Sequence, residues 1–344
     1  MALINIHEIQ TVWGNKIIEL HQGDITKPEI PQECLVVSVF SGHYKPIENT
    51  ILGALHEQFR INLEELVEDA EIDIRIPFHT WISKELNIEG FNYKRIACVE
   101  MAGTSFSIEN MFINMLSILM LCEAQRIKIS SIAMPLLGTG NQGLNPEDVL
   151  PYLIKKTNIA LKKVSGLNRI VFIELNETKA ELFDKKMNKF LKRDESFLRK
   201  IPENDISKTI IVEMKANLLK IQNHISDSET IDELIYCLDS ENARILEIGI
   251  LGRRLLERLI LEILGGKKLK NDLLTSIDGL CEKNIASWMT SYMHIVRTFG
   301  NHVAHDQTKS KKVPAHLSDK DFTNYLFCLN RVLDFWLDYQ NIKN

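Results

Sequence analysis

The stretch Ser131-Ile-Ala-Met-Pro-Leu-Leu-Gly-Thr-Gly-Asn-Gln-Gly143 decides the fold of the first half of this chain. It begins as a short apolar run of the kind that forms a buried strand, and it continues into a loop rich in glycine. Asn145 then provides a helix cap and Pro146 a first helical residue. A strand, a glycine loop and a capped helix present backbone N–H groups and a positive helix end to an anion. The stretch therefore predicts a phosphate or pyrophosphate site at the carboxyl end of a strand.

Short runs rich in Ile and Val recur through the first 180 residues, and helical patterns separate them. The predicted strands are Lys16–Leu20, Leu35–Phe40, Arg95–Met101, Ser131–Leu137 and Arg169–Leu175. The predicted helices are 49–69, 107–126 and 146–163. This alternation predicts a three-layer α/β domain, because helices between parallel strands cover both faces of a sheet.

The strand pattern ends after Leu175, and the rest of the chain has mostly helical patterns. Apolar residues between Ile245 and Ile263 recur at three- and four-residue spacing, which predicts an amphipathic helix. Further helices are predicted over 284–300 and 319–340, and helix is favoured over strand at 210–212. We therefore predict an α/β domain over 1–178, a charged helical linker over 179–205 and an all-α domain over 206–344.

Composition excludes several classes of protein. The 344 residues are 45% apolar and 25% charged, which is typical of a globular protein. No apolar run reaches the roughly 18–20 residues of a membrane span, and the N-terminus does not resemble a signal peptide. A soluble cytoplasmic protein with reduced cysteines is expected, and the absence of a C-x-x-C pair gives no support for zinc. With a net charge of −5, the chain has no basic surplus for duplex binding, so an anion is expected to meet backbone N–H groups.

Two segments of the first half resemble the macro domain family: Gly23-Asp-Ile-Thr26 and the glycine loop near residue 138. The resemblance spans about residues 10–176 and implies binding of ADP-ribose without any required cofactor or metal. It implies that Asp24 and Ile25 recognise the adenine. The phosphates and the distal ribose would meet the glycine loop, at Gly138, Thr139, Gly140, Asn141 and Gln142.

The segment Val36-Val-Ser-Val-Phe-Ser-Gly-His-Tyr-Lys-Pro46 departs from that family. Macro domains that hydrolyse ADP-ribose derivatives usually have Asn-Ala-Asn and a glycine-rich loop here. The missing Asn pair argues against hydrolysis and implies an altered ligand. Lys45 could contact a phosphate or be a solvated loop lysine, and Phe40 could stack on a base or join the core. The residues expected to face the cleft are Ser38, Phe40, Ser41 and Gly42.

The second half contains Arg297-Thr-Phe-Gly-Asn-His-Val-Ala-His305. A histidine could move protons at a ribose 2′-OH, and an arginine could stabilise the charge of a phosphorane-like transition state. The Arg-x4-His spacing resembles HEPN-type ribonucleases, which act without metal and typically as dimers. The wider pattern resembles a HEPN-related helical family with Arg-x-x-Gly-Asn-x-x-x-His and an earlier Arg-x-x-Glu, in which His305, Arg254 and Glu257 match. This resemblance covers about 215–340 and leaves open which histidine acts. It implies catalytic or supporting roles for Arg297, Asn301, His302, His305, Arg254 and Glu257.

Together the two resemblances imply a sensor–effector protein: an α/β three-layer macro-like domain that binds an ADP-ribose-type nucleotide, followed by an all-α HEPN-like bundle. The ligand would control the output of the bundle, which is RNA cleavage or assembly, in a homodimer or higher homo-oligomer. By fold analogy, such a pairing suggests bacterial stress or anti-phage defence. The alternatives are an ADP-ribosyl hydrolase acting in the macro-like cleft and a non-enzymatic nucleotide-binding or dimerisation scaffold.

Overall fold

The computed structural model describes residues 2–28, 31–101, 108–139, 143–193, 195–225, 228–265, 272–304 and 316–343. It divides the chain into two compact units, Met1–Phe190 and Leu191–Asn344. We call them the first unit and the helical unit.

The first unit is built around one mixed sheet. Its strands are β1 (Ala2–Thr11), β2 (Gly14–Gln22), β3 (Gln32–Phe40), β4 (Ala70–Asp73), β5 (Thr80–Ser83), β6 (Tyr93–Met101), β7 (Ser131–Met134) and β8 (Arg169–Glu174). Its helices are α1 (Ile51–Phe59), α2 (Leu63–Glu68), α3 (Arg75–Phe78), α4 (Ile108–Ala124), α5 (Pro146–Lys163) and α6 (Glu177–Leu191).

The strand order in this sheet is β1-β2-β8-β7-β3-β6-β5-β4. The five central strands, β2, β8, β7, β3 and β6, are parallel. At one edge β1 pairs antiparallel with β2, and at the other β5 pairs antiparallel with both β6 and β4. The carboxyl ends of the central strands therefore meet at one edge of the sheet. Loops from β2, β3, β7 and β8 converge there.

Helices cover both faces of the central strands. Leu35 and Val37 of β3 share a core with Leu55 of α1 and Leu63 of α2. Cys34, whose side chain points to the opposite face because successive residues of a strand alternate, lies near Cys122 of α4. On that same face, Phe172 of β8 packs edge-to-face on Phe183 of α6, with ring centroids 4.9 Å apart. Burial of both faces explains the near-continuous apolar runs of these strands.

The helical unit contains α7 (Asp205–Gln222), α8 (Glu229–Asp239), α9 (Ile245–Ile263), α10 (Leu273–Asp278), α11 (Ser287–Ala304) and α12 (Asp319–Lys343). Short 3-10 helices occupy Glu195–Phe197 and Gly279–Lys283. Helix α9 is the centre of this unit, since it is buried along most of its length and contacts α8, α10, α11 and α12. The Tyr325 hydroxyl of α12 donates a hydrogen bond to the Ile248 carbonyl of α9 at 3.0 Å. None of the helices in the described parts of the chain is long and apolar enough to cross a membrane.

The predicted α/β sheet in the first half and helical second half are confirmed. Each predicted strand lies on an observed one, and 210–212 lies in α7. The predicted helix 49–69 is two helices, because Arg60 adopts a left-handed conformation after α1 and Asn62 caps α2. Strands β1, β4 and β5 were not predicted. The structure divides the chain after Phe190, within α6, and the predicted boundaries at 178 and 205 stay predictions.

Candidate functional site

A cleft of about 580 Å³ lies at the carboxyl ends of the parallel strands. Loops after β2, β3, β7 and β8 and the beginning of α1 form its walls. Its charged and titratable lining residues are Asp24, His43, Lys45, Glu174 and Lys179. Most of the remaining lining is apolar and includes Ile25, Val37, Val39, Phe40, Ile51, Leu52, Leu137 and Ile173. A largely apolar cleft with a few converging polar groups is typical of a site for a small molecule.

The Asp24 carboxylate is fixed by a tight turn at one side of this cleft. Its Oδ1 accepts hydrogen bonds from the Thr26 backbone N–H at 2.9 Å and the Thr26 hydroxyl at 2.7 Å. The Tyr93 hydroxyl, whose pKa is raised by burial, donates to the Ile25 carbonyl at 2.6 Å and holds the following residue. Oδ2 of Asp24 has no hydrogen-bond partner among the residues that the structure describes. It is therefore free to accept a hydrogen bond from a ligand's amino group.

The segment after β7 forms a second wall of the cleft. Gly138 has a φ of +84° and closes a turn in which Leu144 N–H donates to its carbonyl at 2.9 Å. Lys179 of α6 donates from Nζ to the Thr139 carbonyl at 2.9 Å, which brings an ammonium group to this wall. Gly140, Asn141 and Gln142, which were predicted to meet the phosphates, lie outside the described residues.

Replacing Gly138 with alanine is expected to strain this wall. The φ of +84° is unfavourable for a side chain, and a Cβ would lie 2.6 Å from Leu144 Cδ1. We expect a loss of about 1–2 kcal/mol of stability. Chemical denaturation checks this against Gly143→Ala, where φ is also positive, at +69°, but no atom of the described residues lies within 4 Å of the new Cβ. Equal losses of unfolding free energy in the two variants would show that the contact with Leu144 adds nothing to the cost of the Gly138→Ala substitution.

The beginning of α1 supplies backbone donors to the cleft. Thr50 caps this helix by accepting a hydrogen bond from Gly53 N–H at 3.1 Å. The N–H groups of the first helical residues, Ile51 and Leu52, have no partner within the helix, as in any first turn. Both residues line the cleft, so the positive end of the helix dipole adjoins it.

The structure brings most of the predicted ligand residues of the first unit to this one cleft. Those that line it are Asp24, Ile25, Ser38, Phe40, Gly138 and Thr139. Ser41 and Gly42 are exposed beside it and do not line it. Lys179 and Glu174 were not predicted, because their place at the cleft depends on the meeting of β8 and β7 in the sheet.

Arg297 and Asn301 lie one turn apart on α11, as predicted for that segment. Arg297 Nε and Asn301 Oδ1 are both covered and have no hydrogen-bond partner in the described parts of the chain. An Arg297 terminal nitrogen lies 3.3 Å from the Thr298 hydroxyl. His302 packs on Phe197, with ring centroids 5.1 Å apart. His305 lies outside the described residues, so its position relative to Arg297 stays a prediction.

The predicted supporting residues lie on α9. Arg254 pairs with Glu233 of α8 at 3.8 Å, and both side chains are largely buried. Glu257 lies one turn further along α9, half-buried. Sequence reasoning did not single out His294 of α11, whose Nε2 lies 3.0 Å from an Asp278 carboxylate oxygen. Its spacing of three residues from Arg297 is the signal that could have found it.

Comparisons with known proteins bear on the first unit. No family model matches the chain, and no curated protein matches it in sequence. A macrodomain mutant from Oceanobacillus iheyensis with ADPR is similar at 13% identity and a TM-score of 0.43, over 55% of this chain and 100% of that one. A Trypanosoma brucei macrodomain in complex with ADP-ribose is similar at 14% identity and a TM-score of 0.36, over 49% and 68% of the two chains. These likenesses concern the N-terminal part, and the HEPN resemblance of the helical unit stays a prediction.

Within the described ranges, no group of three or more His, Cys, Asp or Glu side chains could hold a metal ion.

Proposed function

We propose that the first unit binds an adenine nucleotide of the ADP-ribose type in the cleft at the carboxyl ends of its strands. The observation that supports this most is that two segments about 110 residues apart, Gly23–Thr26 and Leu136–Thr139, line one cleft. The first offers an acidic acceptor for a base amino group. The second adjoins Lys179, and the N-terminus of α1 lines the same cleft; both favour a diphosphate. The cleft volume of about 580 Å³ lies within the roughly 300–1,000 Å³ usual for ligand sites.

Calorimetric titration of the full chain with ADP-ribose tests this proposal. Saturable one-to-one binding is expected, and NAD and ATP serve as comparison ligands. Adenosine alone is expected to bind more weakly, because it lacks the anionic groups that the lysine and the helix N-terminus would stabilise. Absence of heat with every adenine nucleotide would overturn the proposal.

We further propose that the helical unit is the output of the protein, which cleaves RNA without metal and acts as a homodimer or higher oligomer. Arg297 Nε and Asn301 Oδ1 find no hydrogen-bond partner among the residues that the structure describes, which supports this, because buried polar atoms of a purely structural pair are normally hydrogen-bonded. Binding of the nucleotide would shift an equilibrium between states of the oligomer with different activity.

Arg297→Ala is therefore expected to abolish RNA cleavage while leaving ADP-ribose binding unchanged. Arg331→Ala is a matched control, since Arg331 lies on α12 and pairs with Asp334 at 2.7 Å. Cleavage of a labelled RNA, with and without ADP-ribose, gives the readout, and light scattering gives the oligomeric state. If wild type cleaves no RNA in either condition, the nuclease proposal is wrong, and the scaffold alternative remains.

A further inference from the structure

The loop that follows β3 is anchored to the end of β6. We call residues 40–46 the 40–46 loop. Ser41 N–H donates to the Met101 carbonyl at 2.9 Å, and His43 N–H donates to the Phe40 carbonyl at 2.8 Å, which closes a turn. The loop backbone is therefore fixed to the sheet at its beginning.

A buried carboxylate, Glu100, fixes the side chains of this loop. Glu100 is 3% exposed, and its two oxygens accept hydrogen bonds from the Ser41 hydroxyl, at 2.7 Å, and from the Tyr44 hydroxyl. Burial and Glu100 raise the pKa of Tyr44, so its hydroxyl stays a donor. Tyr44 also packs edge-to-face on Trp81, with ring centroids 6.0 Å apart, and lies beside the Arg75 guanidinium. Two hydroxyl donors to one buried carboxylate give the loop a defined conformation.

This anchoring leaves three other side chains of the loop at the cleft: Phe40, His43 and Lys45. Phe40 is 49% exposed, so its ring is open to a ligand in the cleft. The side chains of His43 and Lys45 are exposed and make no hydrogen bond or ion pair with any residue that the structure describes. Of the carboxylates that line the cleft, Asp24 follows β2 and Glu174 is the last residue of β8, whereas this loop follows β3.

The acidic groups of the cleft and the basic groups of the 40–46 loop lie at the ends of different strands of the sheet. In the strand order, β8 and β7 lie between β2 and β3. At roughly 4.8 Å between neighbouring strands, the ends of β2 and β3 are about 14 Å apart. An acidic acceptor at one side and an imidazole and an ammonium at the other suit a ligand with a base at one end and an anion at the other. Phe40 offers no group that could hydrogen-bond a sugar hydroxyl.

We propose that the 40–46 loop binds the third phosphate of a nucleoside triphosphate, so that the cleft prefers a nucleoside triphosphate to both the diphosphate and ADP-ribose. This inference rests on the proposed nucleotide site and narrows its ligand. Lys45 and His43 contact the terminal phosphate, and Glu100 is a positioning residue that holds the loop in place through Ser41 and Tyr44.

Calorimetry with ADP, ATP and ADP-ribose, without Mg²⁺, tests the inference. Wild type is expected to bind ATP about tenfold more tightly than ADP or ADP-ribose, a factor worth about 1.4 kcal/mol. Lys45→Gln is expected to remove most of that preference while leaving ADP affinity within about twofold, since only the third phosphate loses a partner. Lys128→Gln, at an exposed lysine that does not line the cleft, is the matched control. Added salt should weaken ATP binding more than ADP binding.

The positioning role of Glu100 has its own readout. Tyr44→Phe keeps the ring on Trp81 and removes one hydroxyl, and Glu100→Gln removes the charge. Both are expected to reduce the ratio of ATP to ADP affinity while leaving ADP binding in place, and melting curves verify that each variant is folded. A merely structural role would lower both affinities together.

Two results distinguish the inference from the function on which it rests. ADP-ribose binding that equals or exceeds ATP binding, or a Lys45→Gln variant that loses ADP and ATP affinity equally, overturns the inference alone. Failure of all three nucleotides to bind overturns the proposed function, and the inference with it.

Discussion

Asp24→Ala is expected to weaken ADP-ribose binding by about 10- to 150-fold, because a hydrogen bond to a charged group contributes about 1.5–3 kcal/mol. Oδ1 of Asp24 is occupied by the Thr26 N–H and hydroxyl, and Oδ2 is the atom left for the ligand. The substitution removes both the acceptor and the turn that holds Ile25 in the cleft wall. Calorimetric titration of the variant gives the affinity.

Two further variants separate the acceptor from the turn. Asp24→Asn keeps one oxygen for the Thr26 turn but offers an amide N–H₂ where the free carboxylate oxygen was, so a large loss of affinity is still expected. Asp69→Ala, at an exposed aspartate that pairs with Lys84 at the surface and does not line the cleft, is expected to leave ADP-ribose binding unchanged. If the Asp24→Ala variant binds ADP-ribose with wild-type affinity, the ligand does not contact Asp24 and the site lies elsewhere.

Gly252→Ala is expected to destabilise the helical unit strongly. A Cβ at Gly252 would collide with the Tyr325 hydroxyl and lie 2.8 Å from Leu329 Cδ2. Tyr325 cannot move aside, since it is 1% exposed, stacks on Phe299 at 4.1 Å and donates to the Ile248 carbonyl. Overpacking of a core costs typically 1–3 kcal/mol, and loss of the hydrogen bond adds about 1 kcal/mol. A loss of about 3 kcal/mol lowers the melting temperature by about 6–12 °C.

Gly279→Ala is the matched control for that experiment. Gly279 has a φ of −67°, and a Cβ built there has no neighbour within 4 Å in the described part of the chain. Alanine is therefore expected to be neutral or slightly stabilising. Calorimetric melting of both variants gives the comparison. If the Gly252→Ala variant has the melting temperature of the wild type, α9 and α12 do not pack as closely as the structure has them.

The central sheet could be predicted from sequence because its physical signal is local. Leu35–Val37 and Ile96–Val99 are apolar runs with no polar position to interrupt them, as expected for strands covered on both faces. Strand β1 could not be predicted in this way. It contains Asn5 and His7, which are buried, and Asn5 hydrogen-bonds Asp184 and Asn188, almost 180 residues away. The hydrogen-bond partners of such a buried polar residue become visible only in the folded structure.

The cleft could be predicted in part for the same reason. Gly23–Thr26 and the glycine loop are contiguous motifs whose chemistry is visible in the sequence. Lys179 was expected in a charged linker. Its contact with the Thr139 carbonyl depends on the packing of α6 against the sheet, which the sequence does not show. The link between Glu100 and the 40–46 loop likewise depends on the pairing of β3 with β6, which brings Phe40 opposite Met101.

The helical unit shows where spacing alone is insufficient. The Arg-x4-His spacing favours His302, but five residues along a helix turn a side chain by about 140°. His302 packs on Phe197, whereas His294, three residues before Arg297, is paired with Asp278. Comparing RNA cleavage by His294→Ala, His302→Ala and His305→Ala variants is expected to identify the histidine that acts with Arg297 in the proposed cleavage.

Amide hydrogen exchange of the full chain, with and without saturating ADP-ribose, tests the central claim most directly, because it reports both binding and its location. The account predicts protection in the loop after β2, at the end of β3, in the first turn of α1 and over residues 135–139. No protection at any of these segments, or protection confined to the helical unit, would contradict a nucleotide site in the first unit.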